Sequence, residues 1–336
     1  MALGDYLASE IALDCADGLF SRREAVRRLM LLGLTAPAAA ALLASCGGDD
    51  DEAESSPTGP TAASSAPPAT ASASSQTATS DSEPASAPTE PIADTAPGGP
   101  GTTAGAAAGP ITEEIRFAGP RGELIGVLAT SPEPRGAVLV IHENRGLTAH
   151  IRSIPPRLAA DGYTALAIDL LSEEGGTAAL PSEGDATAAL GNASAERLVE
   201  DLRAGLDELE RRAPGAKLAA IGFCFGGGMT WQLLAAGEPR LAAAVPFYGP
   251  APDAADFSGS PNAAVLGVYA ELDARVNASQ ETARSALEAA GLVHEIRVFP
   301  GVDHAFFNDT GARYAADAAA EAYQAMLDWF GQHLAV

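Results

Sequence analysis

The strongest constraint on the fold is a series of short, continuously apolar segments that alternate with longer amphipathic segments through residues 111–336. Continuous apolar runs are typical of parallel strands that are buried on both faces. Apolar residues at three- and four-residue spacing predict helices between these runs. The predicted strands cover residues 114–117, 123–129, 137–142, 164–169, 218–223, 243–248, 263–269 and 295–299. The predicted helices cover residues 151–161, 193–213, 227–236, 279–290 and 315–333.

The order of these segments predicts a three-layer α/β domain over residues 111–336. No helix separates the first two strands, so we expect an antiparallel hairpin with its turn at Arg121-Gly122. The strands that then alternate with helices indicate a mostly parallel central sheet with helices on both faces. In such sheets a functional site lies at the carboxyl ends of the strands. The loops that follow the predicted strands are therefore where we expect the chemistry.

The first 45 residues have the parts of a bacterial export signal. A basic segment with the pair Arg22-Arg23 precedes an apolar run over residues 29–45, which is shorter than a membrane-spanning helix requires. The arginine pair favours the twin-arginine route. The Leu-Ala-Ser-Cys sequence that ends at Cys46 is similar to the lipobox of bacterial lipoproteins. We therefore predict cleavage before Cys46 and a diacylglycerol anchor on its thiol; the alternative is an amphipathic N-terminal helix with a cysteine there by chance.

Residues 46–110 have the composition of a disordered linker. Alanine, serine, threonine, proline and glycine dominate this segment, which contains acidic residues but no arginine or lysine. Such a composition buries too little apolar surface to offset the entropy of ordering. We expect an acidic tether between the anchor and the domain.

Charge and cysteine content exclude several classes of function. The chain has 20 basic and 44 acidic residues, which argues against nucleic-acid binding because phosphate neutralisation needs clustered cations. Three cysteines do not make a disulfide framework or a four-cysteine zinc site. No dinucleotide or phosphate-loop motif follows a strand. We expect no cofactor, a monomer, and membrane contact through the lipid anchor only.

Cys224 is the candidate nucleophile. It stands in the sequence Gly-Phe-Cys-Phe-Gly directly after the fifth predicted strand, which is the nucleophile elbow of α/β-hydrolases with cysteine in place of serine. Glycines two residues to either side are needed because a strained strand-to-helix turn leaves no room for their Cβ atoms. The helix N-terminus should favour the thiolate, and the Phe225 amide should be one oxyanion donor. The alternative is an inert, buried cysteine.

An acid and a histidine follow Cys224 in the chain order that this fold requires. Asp273 follows the strand at 263–269, and His304 follows the strand at 295–299. We expect His304 to transfer the proton and Asp273 to orient its ring. Glu271 and Asp303 are rival acids, for which the alternative role is solvated loop charge.

The third strand ends in three polar residues, Glu143-Asn144-Arg145. A second oxyanion donor should arise from this loop. The Glu143 carboxylate can hydrogen-bond the thiol or compete for the proton of the histidine. Its alternative role is that of a solvated loop acid.

Together these segments resemble the dienelactone hydrolase family. The resemblance lies in residues 142–147, 222–227, 273 and 303–308, and it extends over essentially all of residues 111–336. It implies an α/β-hydrolase fold and the hydrolysis of a lactone or ester. The implied reaction is thiolate attack, a thioester intermediate, and attack by water that the histidine activates.

The same resemblance implies roles for individual residues. Cys224, Asp273 and His304 would form the triad. Glu143 would keep the thiol protonated at rest and take its proton when substrate enters. The backbone amides of Asn144 and Phe225 would form the oxyanion hole.

One position departs from the family pattern. Well-known members bind the dienelactone carboxylate with arginines, one of them four residues after the catalytic histidine. Asn308 occupies that position here, and the nearest basic residue is Arg313. This argues against the carboxylated dienelactone as the substrate. Arg145 is a candidate replacement for the anion contact; its alternative role is that of a surface arginine.

Two functions of different class follow from the sequence. The first is a hydrolase of small lactones or esters, lipid-anchored to the outer face of the cytoplasmic membrane in a bacterial envelope. The second is a non-catalytic envelope lipoprotein that uses the hydrolase fold as a binding module. Reactivity of the Cys224 thiol discriminates between them.

Overall fold

A mostly parallel sheet of eight strands forms the centre of the structure. The computed structural model describes residues 3–46 and 111–335, so the linker predicted over residues 46–110 lies outside the described residues except for the backbone of Cys46. The strands are β1 (Ile111–Gly119), β2 (Gly122–Thr130), β3 (Ala137–Ile141), β4 (Thr164–Asp169), β5 (Leu218–Phe223), β6 (Leu241–Phe247), β7 (Ala264–Ala270) and β8 (His294–Phe299). Their order across the sheet is β1-β2-β4-β3-β5-β6-β7-β8.

The register matches the predicted hairpin and crossovers. Strand β1 pairs antiparallel with β2, which pairs antiparallel with β4, and every later neighbour is parallel. Strands β3, β4 and β5 are buried along their whole length, because helices cover both faces of the sheet. The predicted mostly parallel α/β fold is therefore confirmed.

The helices of the domain include two that the sequence analysis did not predict. They are α4 (Ala149–Ala160), α5 (Glu183–Asn192), α6 (Ala195–Arg212), α7 (Phe225–Ala235), α8 (Ala274–Asn277), α9 (Gln280–Ala289) and α10 (Ala316–His333). The unpredicted ones are α5 and the single turn α8. Helix α5 is made mainly of small residues, so its apolar face gives a weak periodic signal.

The core beneath the carboxyl edge of the sheet is aromatic. Phe223 at the end of β5 packs against Phe247 and Phe307, with ring centroids 4.8 and 5.1 Å apart. Both tryptophans are also buried, and the indole N–H groups of Trp231 and Trp329 donate to backbone oxygens. This packing gives the loops above it a rigid base.

Residues 3–46 form three further helices that lie against the domain. They are α1 (Leu3–Ala16), α2 (Arg22–Leu31) and α3 (Ala36–Cys46). These helices share a small apolar core, and they contact α5, where Arg27 donates to the hydroxyl of Ser182 at 3.1 Å. Within the described residues, none of the helices is both long enough and apolar enough to cross a membrane. The segment predicted as an export signal thus has a defined position on the domain.

Candidate active site

Cys224 lies in a strained turn between β5 and α7. Its backbone angles are φ 55° and ψ −116°, a conformation that costs free energy for any residue with a side chain. A Cβ atom on Gly222 would lie 2.0 Å from the backbone oxygen of Gly226, and one on Gly226 would lie 2.3 Å from that of Ile141. The two flanking glycines therefore let the turn close against its own helix and the neighbouring strand, as the sequence motif predicts.

The surroundings of Cys224 favour the thiol over the thiolate. Its side chain is buried, and the hydroxyl of Tyr6 lies 3.4 Å from Sγ. Burial raises the pKa of the thiol, the nearby Glu10 carboxylate raises it further, and His304 only partly opposes them. The sequence predicts that the helix N-terminus lowers this pKa. Desolvation and an acid from α1 outweigh that effect.

His304 and Asp273 meet at the carboxyl edge of the sheet. His304 Nδ1 donates to Asp273 Oδ2 at 2.6 Å, and Asp273 Oδ1 accepts the backbone N–H of Val276 at 3.1 Å as the N-cap of α8. Burial opposes ionisation of Asp273, but the interaction with His304 outweighs it, and the pKa of the carboxyl is lowered. Asp273 is therefore an anion fixed in place beside the imidazole.

The rival acids make other contacts. Glu271 accepts the backbone N–H of Gly301 at 2.7 Å, and Asp303 accepts the backbone N–H of His304 at 2.6 Å. Both brace the loops in which they lie. Of the three acids, Asp273 is the one that contacts the imidazole ring.

The second ring nitrogen of His304 contacts Glu10, a residue that was not predicted from the sequence. Nε2, the nitrogen that should receive a proton from the thiol, lies 3.2 Å from Glu10 Oε1. Burial lowers the pKa of His304, but Glu10, Cys224 and Asp273 outweigh that effect and raise it well above its usual value. The ring therefore lies between two carboxylates, which favour its protonated form.

Glu143 is buried rather than solvated. Its Oε2 accepts the side-chain N–H of Asn308 at 2.6 Å, whereas Oε1 has no protein hydrogen-bond partner. Burial raises the pKa of the carboxyl, although His150 and His304 partly oppose this. The uncharged side-chain amide of Asn308 thus holds Glu143 in place.

Of the two predicted oxyanion donors, Phe225 directly follows Cys224, and Asn144 lines a pocket together with Cys224. Phe225 is the first residue of α7, so its amide has no acceptor within the helix. Asn144 follows β3, and its backbone oxygen accepts the hydroxyl of Thr187 at 3.1 Å. The turn is completed by Gly146, whose φ of 82° is readily adopted by glycine.

A pocket of about 180 Å³ opens beside the thiol. Arg145 lies at its edge, half-buried, with Asp14 of α1 at 3.7 Å and Glu183 at 3.4 Å. The pocket presents both polar and apolar surface. Other lining residues are Glu143, Asn144, Ala305, Asn308 and Arg313.

The remaining histidines serve the surrounding structure. His142 Nε2 accepts the backbone N–H of Leu170 at 3.1 Å, so its Nδ1 carries the proton that is donated to the backbone oxygen of Glu143. His150 contacts Asp309. Of these two, neither takes the place of His304 beside Asp273.

Within the described residues, one group of side chains approaches closely enough to hold a metal ion, and it is Glu10, Cys224 and His304. Arg275, however, already contacts the second oxygen of Glu10. A guanidinium at that carboxylate supplies the positive charge that a metal ion would otherwise bring. We therefore interpret the trio as an ion-paired cluster.

Comparison with known proteins identifies relatives of this chain. The sequence profile described as "Dienelactone hydrolase family" matches residues 124–334. The "Putative carboxymethylenebutenolidase" of Escherichia coli (strain K12) is 36% identical over 219 residues, which cover 60% of this chain and 79% of that protein. A protein of the same name from Saccharolobus solfataricus is 29% identical over 247 residues, with 63% and 95% covered.

Solved structures give the same result. A "Putative Dienelactone Hydrolase" from Klebsiella pneumoniae subsp. pneumoniae is 30% identical, with a TM-score of 0.58, and 67% of this chain covers 100% of that one. A dienelactone hydrolase-like promiscuous phosphotriesterase from metagenomic libraries is 25% identical, with a TM-score of 0.56, and the match covers 67% and 99% of the two chains. The chain therefore belongs to the dienelactone hydrolase family, and it is an α/β-hydrolase of the carboxylic ester and lactone class.

Proposed function

We propose that this protein hydrolyses small lactones or esters through Cys224, His304 and Asp273, with a thioester intermediate at the cysteine. The observation that carries the proposal is the thiol held in a strained elbow within 4.8 Å of a ring nitrogen of His304, while Nδ1 is fixed by Asp273. An oriented imidazole beside a nucleophile is the arrangement that acyl transfer requires.

The reaction has two proton-coupled steps. When His304 Nε2 is unprotonated, it accepts the thiol proton as Sγ attacks the carbonyl carbon, and the backbone amides of Phe225 and Asn144 stabilise the resulting oxyanion. The imidazolium returns the proton to the leaving alkoxide as the carbon–oxygen bond breaks. For a lactone, that alcohol remains on the acyl chain. Water, deprotonated by His304, then attacks the thioester and releases the acid and the thiol.

Glu143 adds a control on the thiol. Buried beside the pocket, its carboxylate disfavours a thiolate in the absence of substrate, because two negative charges in a desolvated site repel each other. Its hydrogen bond with Asn308 holds the carboxylate in this position.

The experiment that tests the nucleophile compares cysteine variants on a reactive p-nitrophenyl ester. Cys224→Ala should lower kcat/KM by at least about a thousandfold, since no acyl-enzyme can form at that position. Cys224→Ser should keep a small residual rate, because a hydroxyl needs stronger general-base assistance. Intact-mass analysis should detect an acyl adduct on the wild type alone.

Cys15→Ser is the matched control, since it removes a thiol that lies away from the pocket, and it should leave kcat/KM within twofold of the wild type. Near-wild-type turnover by Cys224→Ala would refute the mechanism. A folded wild type that neither turns over esters nor forms an adduct, both before and after removal of residues 1–45, would favour the binding-module function instead.

We also propose that the protein is exported and anchored through Cys46 to the outer face of the cytoplasmic membrane. The lipobox-like sequence supports this proposal, and so does the exposure of Arg22 and Arg23, which leaves the arginine pair open to recognition. The acidic linker sequence would then separate the enzyme from the membrane surface.

A further inference from the structure

One face of the N-terminal helix lies directly on the catalytic groups. Tyr6, Glu10 and Asp14 are spaced four residues apart in α1, so they share a face of the helix, and Asp17 extends that face beyond its end. We call these four residues the docking face. Its members contact the thiol, the imidazole and three arginines around the site; these residues are Cys224, His304, Arg145, Arg275 and Arg313.

Glu10 contacts the nitrogen of His304 that acts as the base in the proposed reaction. Its carboxylate lies 3.2 Å from His304 Nε2 and also contacts Arg275. A general base needs an accessible Nε2. The Glu10 carboxylate lies beside that nitrogen and competes with the Cys224 thiol for it.

Tyr6 covers the nucleophile itself. Its side chain is buried, its hydroxyl lies 3.4 Å from Cys224 Sγ, and its ring stacks against the Arg275 guanidinium at 4.5 Å. A substrate carbonyl has to approach the sulfur to within about 3–3.5 Å before attack. The phenol therefore competes with the substrate for this space.

Helix α1 contributes lining residues to two pockets at the site, one of about 180 Å³ and a second of about 260 Å³. Both pockets are lined by Glu10, His304 and Arg313. Removal of α1 would join the two spaces over the catalytic dyad and leave room for an acyl chain and its alcohol.

Charged side chains make several of the contacts between α1 and the site. Glu10, Asp14 and Asp17 contact arginines of the domain, and Glu10 also contacts His304. Of the apolar residues of α1, Tyr6 and Leu7 belong to the main core, while Ala8, Ile11 and Ala12 pack within the N-terminal helices. The ion pairs are largely buried, so a change of charge on one partner leaves the other uncompensated and should release the helix.

We propose that α1 is an intramolecular inhibitor, which keeps the hydrolase inactive until residues 1–45 are removed or displaced. The inference rests on the proposed Cys224 hydrolase function and adds a control to it. The cleavage predicted before Cys46 would remove the whole docking face and leave the catalytic domain attached to the lipid-modified cysteine. Export would then convert an inactive precursor into an active enzyme.

The primary test reverses one charge on the docking face of the full-length chain. In Glu10→Lys the new ammonium faces Arg275 and His304, so α1 should dissociate from the site. Asp5→Lys is the matched control, since it makes the same charge change at an exposed position of the same helix. Both variants are made with Cys15→Ser and Cys46→Ser, so that Cys224 is the remaining thiol of the chain.

Two quantities are measured, the rate of Cys224 alkylation by iodoacetamide and kcat/KM on a p-nitrophenyl ester. The parent is the full-length chain that carries only Cys15→Ser and Cys46→Ser. We expect Glu10→Lys to raise both the alkylation rate and kcat/KM by at least about tenfold over the parent, and Asp5→Lys to stay within twofold of it. A folded Glu10→Lys chain that is slower than the parent in both assays would overturn the inference and make Glu10 a catalytic group.

A second test does not depend on a folded point variant. A specific protease site is inserted between residues 46 and 111, the chain is cut, and the N-terminal fragment is separated by gel filtration at raised salt. The freed domain should gain alkylation rate and turnover, and a peptide of residues 3–20 added back should inhibit it in competition with the ester. A cut chain that loses activity while retaining its thermal stability would refute the inference.

The two readouts separate this inference from the proposed function. Faster alkylation without any turnover would support the inhibitory contact and refute the hydrolase mechanism. Turnover that needs Cys224 but is equal in the parent, the Glu10→Lys variant and the cut chain would support the mechanism and refute the inhibition.

Discussion

Backbone strain in this protein is concentrated at single residues of the catalytic edge. Among the described residues, three that are not glycine have positive φ, and they are Cys224 (55°), Tyr248 (36°) and Ala305 (61°). They follow β5, β6 and β8, and the Tyr248 ring packs edge-on against His304 at 5.2 Å. Strain of this kind persists only where the surrounding structure compensates for it. The rigid aromatic layer below these loops provides that compensation.

The buried carboxylate of Glu143 should lower the stability of the folded protein when it is ionised. Because burial raises its pKa in the folded state, ionisation destabilises the fold progressively as the pH rises from the unfolded value of about 4.3 through the folded pKa. Glu143→Gln should therefore raise the Tm at neutral pH, and the gain should disappear below about pH 4. The same change should lower kcat/KM and flatten the pH dependence of Cys224 alkylation.

The measurement is a series of thermal melts across this pH range, with kcat/KM on one reactive ester at each pH. Glu321→Gln is the control, because Glu321 is exposed on α10 and should affect neither quantity. A lower Tm for Glu143→Gln at neutral pH would show that the charged form is stabilised by the site, contrary to this account.

At the scale of elements, the nucleophile turn depends on the close approach of α7 to β3. The Cβ atom of an alanine at position 226 would lie 2.3 Å from the backbone oxygen of Ile141, and neither backbone can move without disturbing the sheet. Gly226→Ala should therefore destabilise the domain by more than about 2 kcal/mol and lower the activity of the remaining folded protein.

Gly228→Ala, two residues further along the same helix, is the matched control. Its nearest neighbour would be the Pro250 side chain at 3.6 Å, an ordinary contact, so the better helix propensity of alanine should stabilise the protein by about 0.5–1 kcal/mol. Urea denaturation of both variants measures the difference. Equal stabilities would mean that the turn tolerates a wider separation than the structure shows.

The elements also show which parts of the molecule could be predicted from the sequence. All eight strands were predicted, because a strand buried on both faces is continuously apolar and that signal is local. The meeting of Cys224, Asp273 and His304 was predicted as well, since parallel strands bring their carboxyl ends to one edge. Their catalytic roles stay predictions until the variants are measured.

The contribution of α1 could not be predicted in the same way. The four-residue spacing of its docking face is visible in the sequence, but that spacing does not specify which surface the helix contacts. An acidic, four-residue periodicity is typical of a solvated helix face. Only the three-dimensional position of Arg275, Arg313 and His304 identifies Glu10 and Asp14 as their partners. Long-range ion pairs leave no local trace in one sequence.

At the scale of the whole molecule, attachment of the proposed anchor and release of the proposed inhibition both depend on cleavage of the peptide bond before Cys46. Cys46→Ala should prevent lipid attachment and move the protein from the membrane to the soluble fraction of the bacterial cell. If cleavage before residue 46 is also blocked, the soluble protein should keep residues 1–45 and have a low specific activity. Fractionation, followed by mass analysis and the ester assay, measures all three properties.

Cys15→Ala is the control for that experiment, because it removes a cysteine from the same N-terminal segment without touching the lipobox-like sequence. It should leave the membrane fraction unchanged. Retention of Cys46→Ala at the membrane would show that the chain is held there by something other than the lipid.

The placement of the two tryptophans has a spectroscopic consequence. Trp231 and Trp329 both lie within the domain, with their indole groups buried and hydrogen-bonded, and the N-terminal helices contain no tryptophan. Indole fluorescence therefore monitors the domain alone, whereas far-ultraviolet circular dichroism also monitors α1 to α3. In a titration with salt or denaturant, a fall in ellipticity at constant emission would record unfolding of the N-terminal helices while the enzyme beneath them remains native.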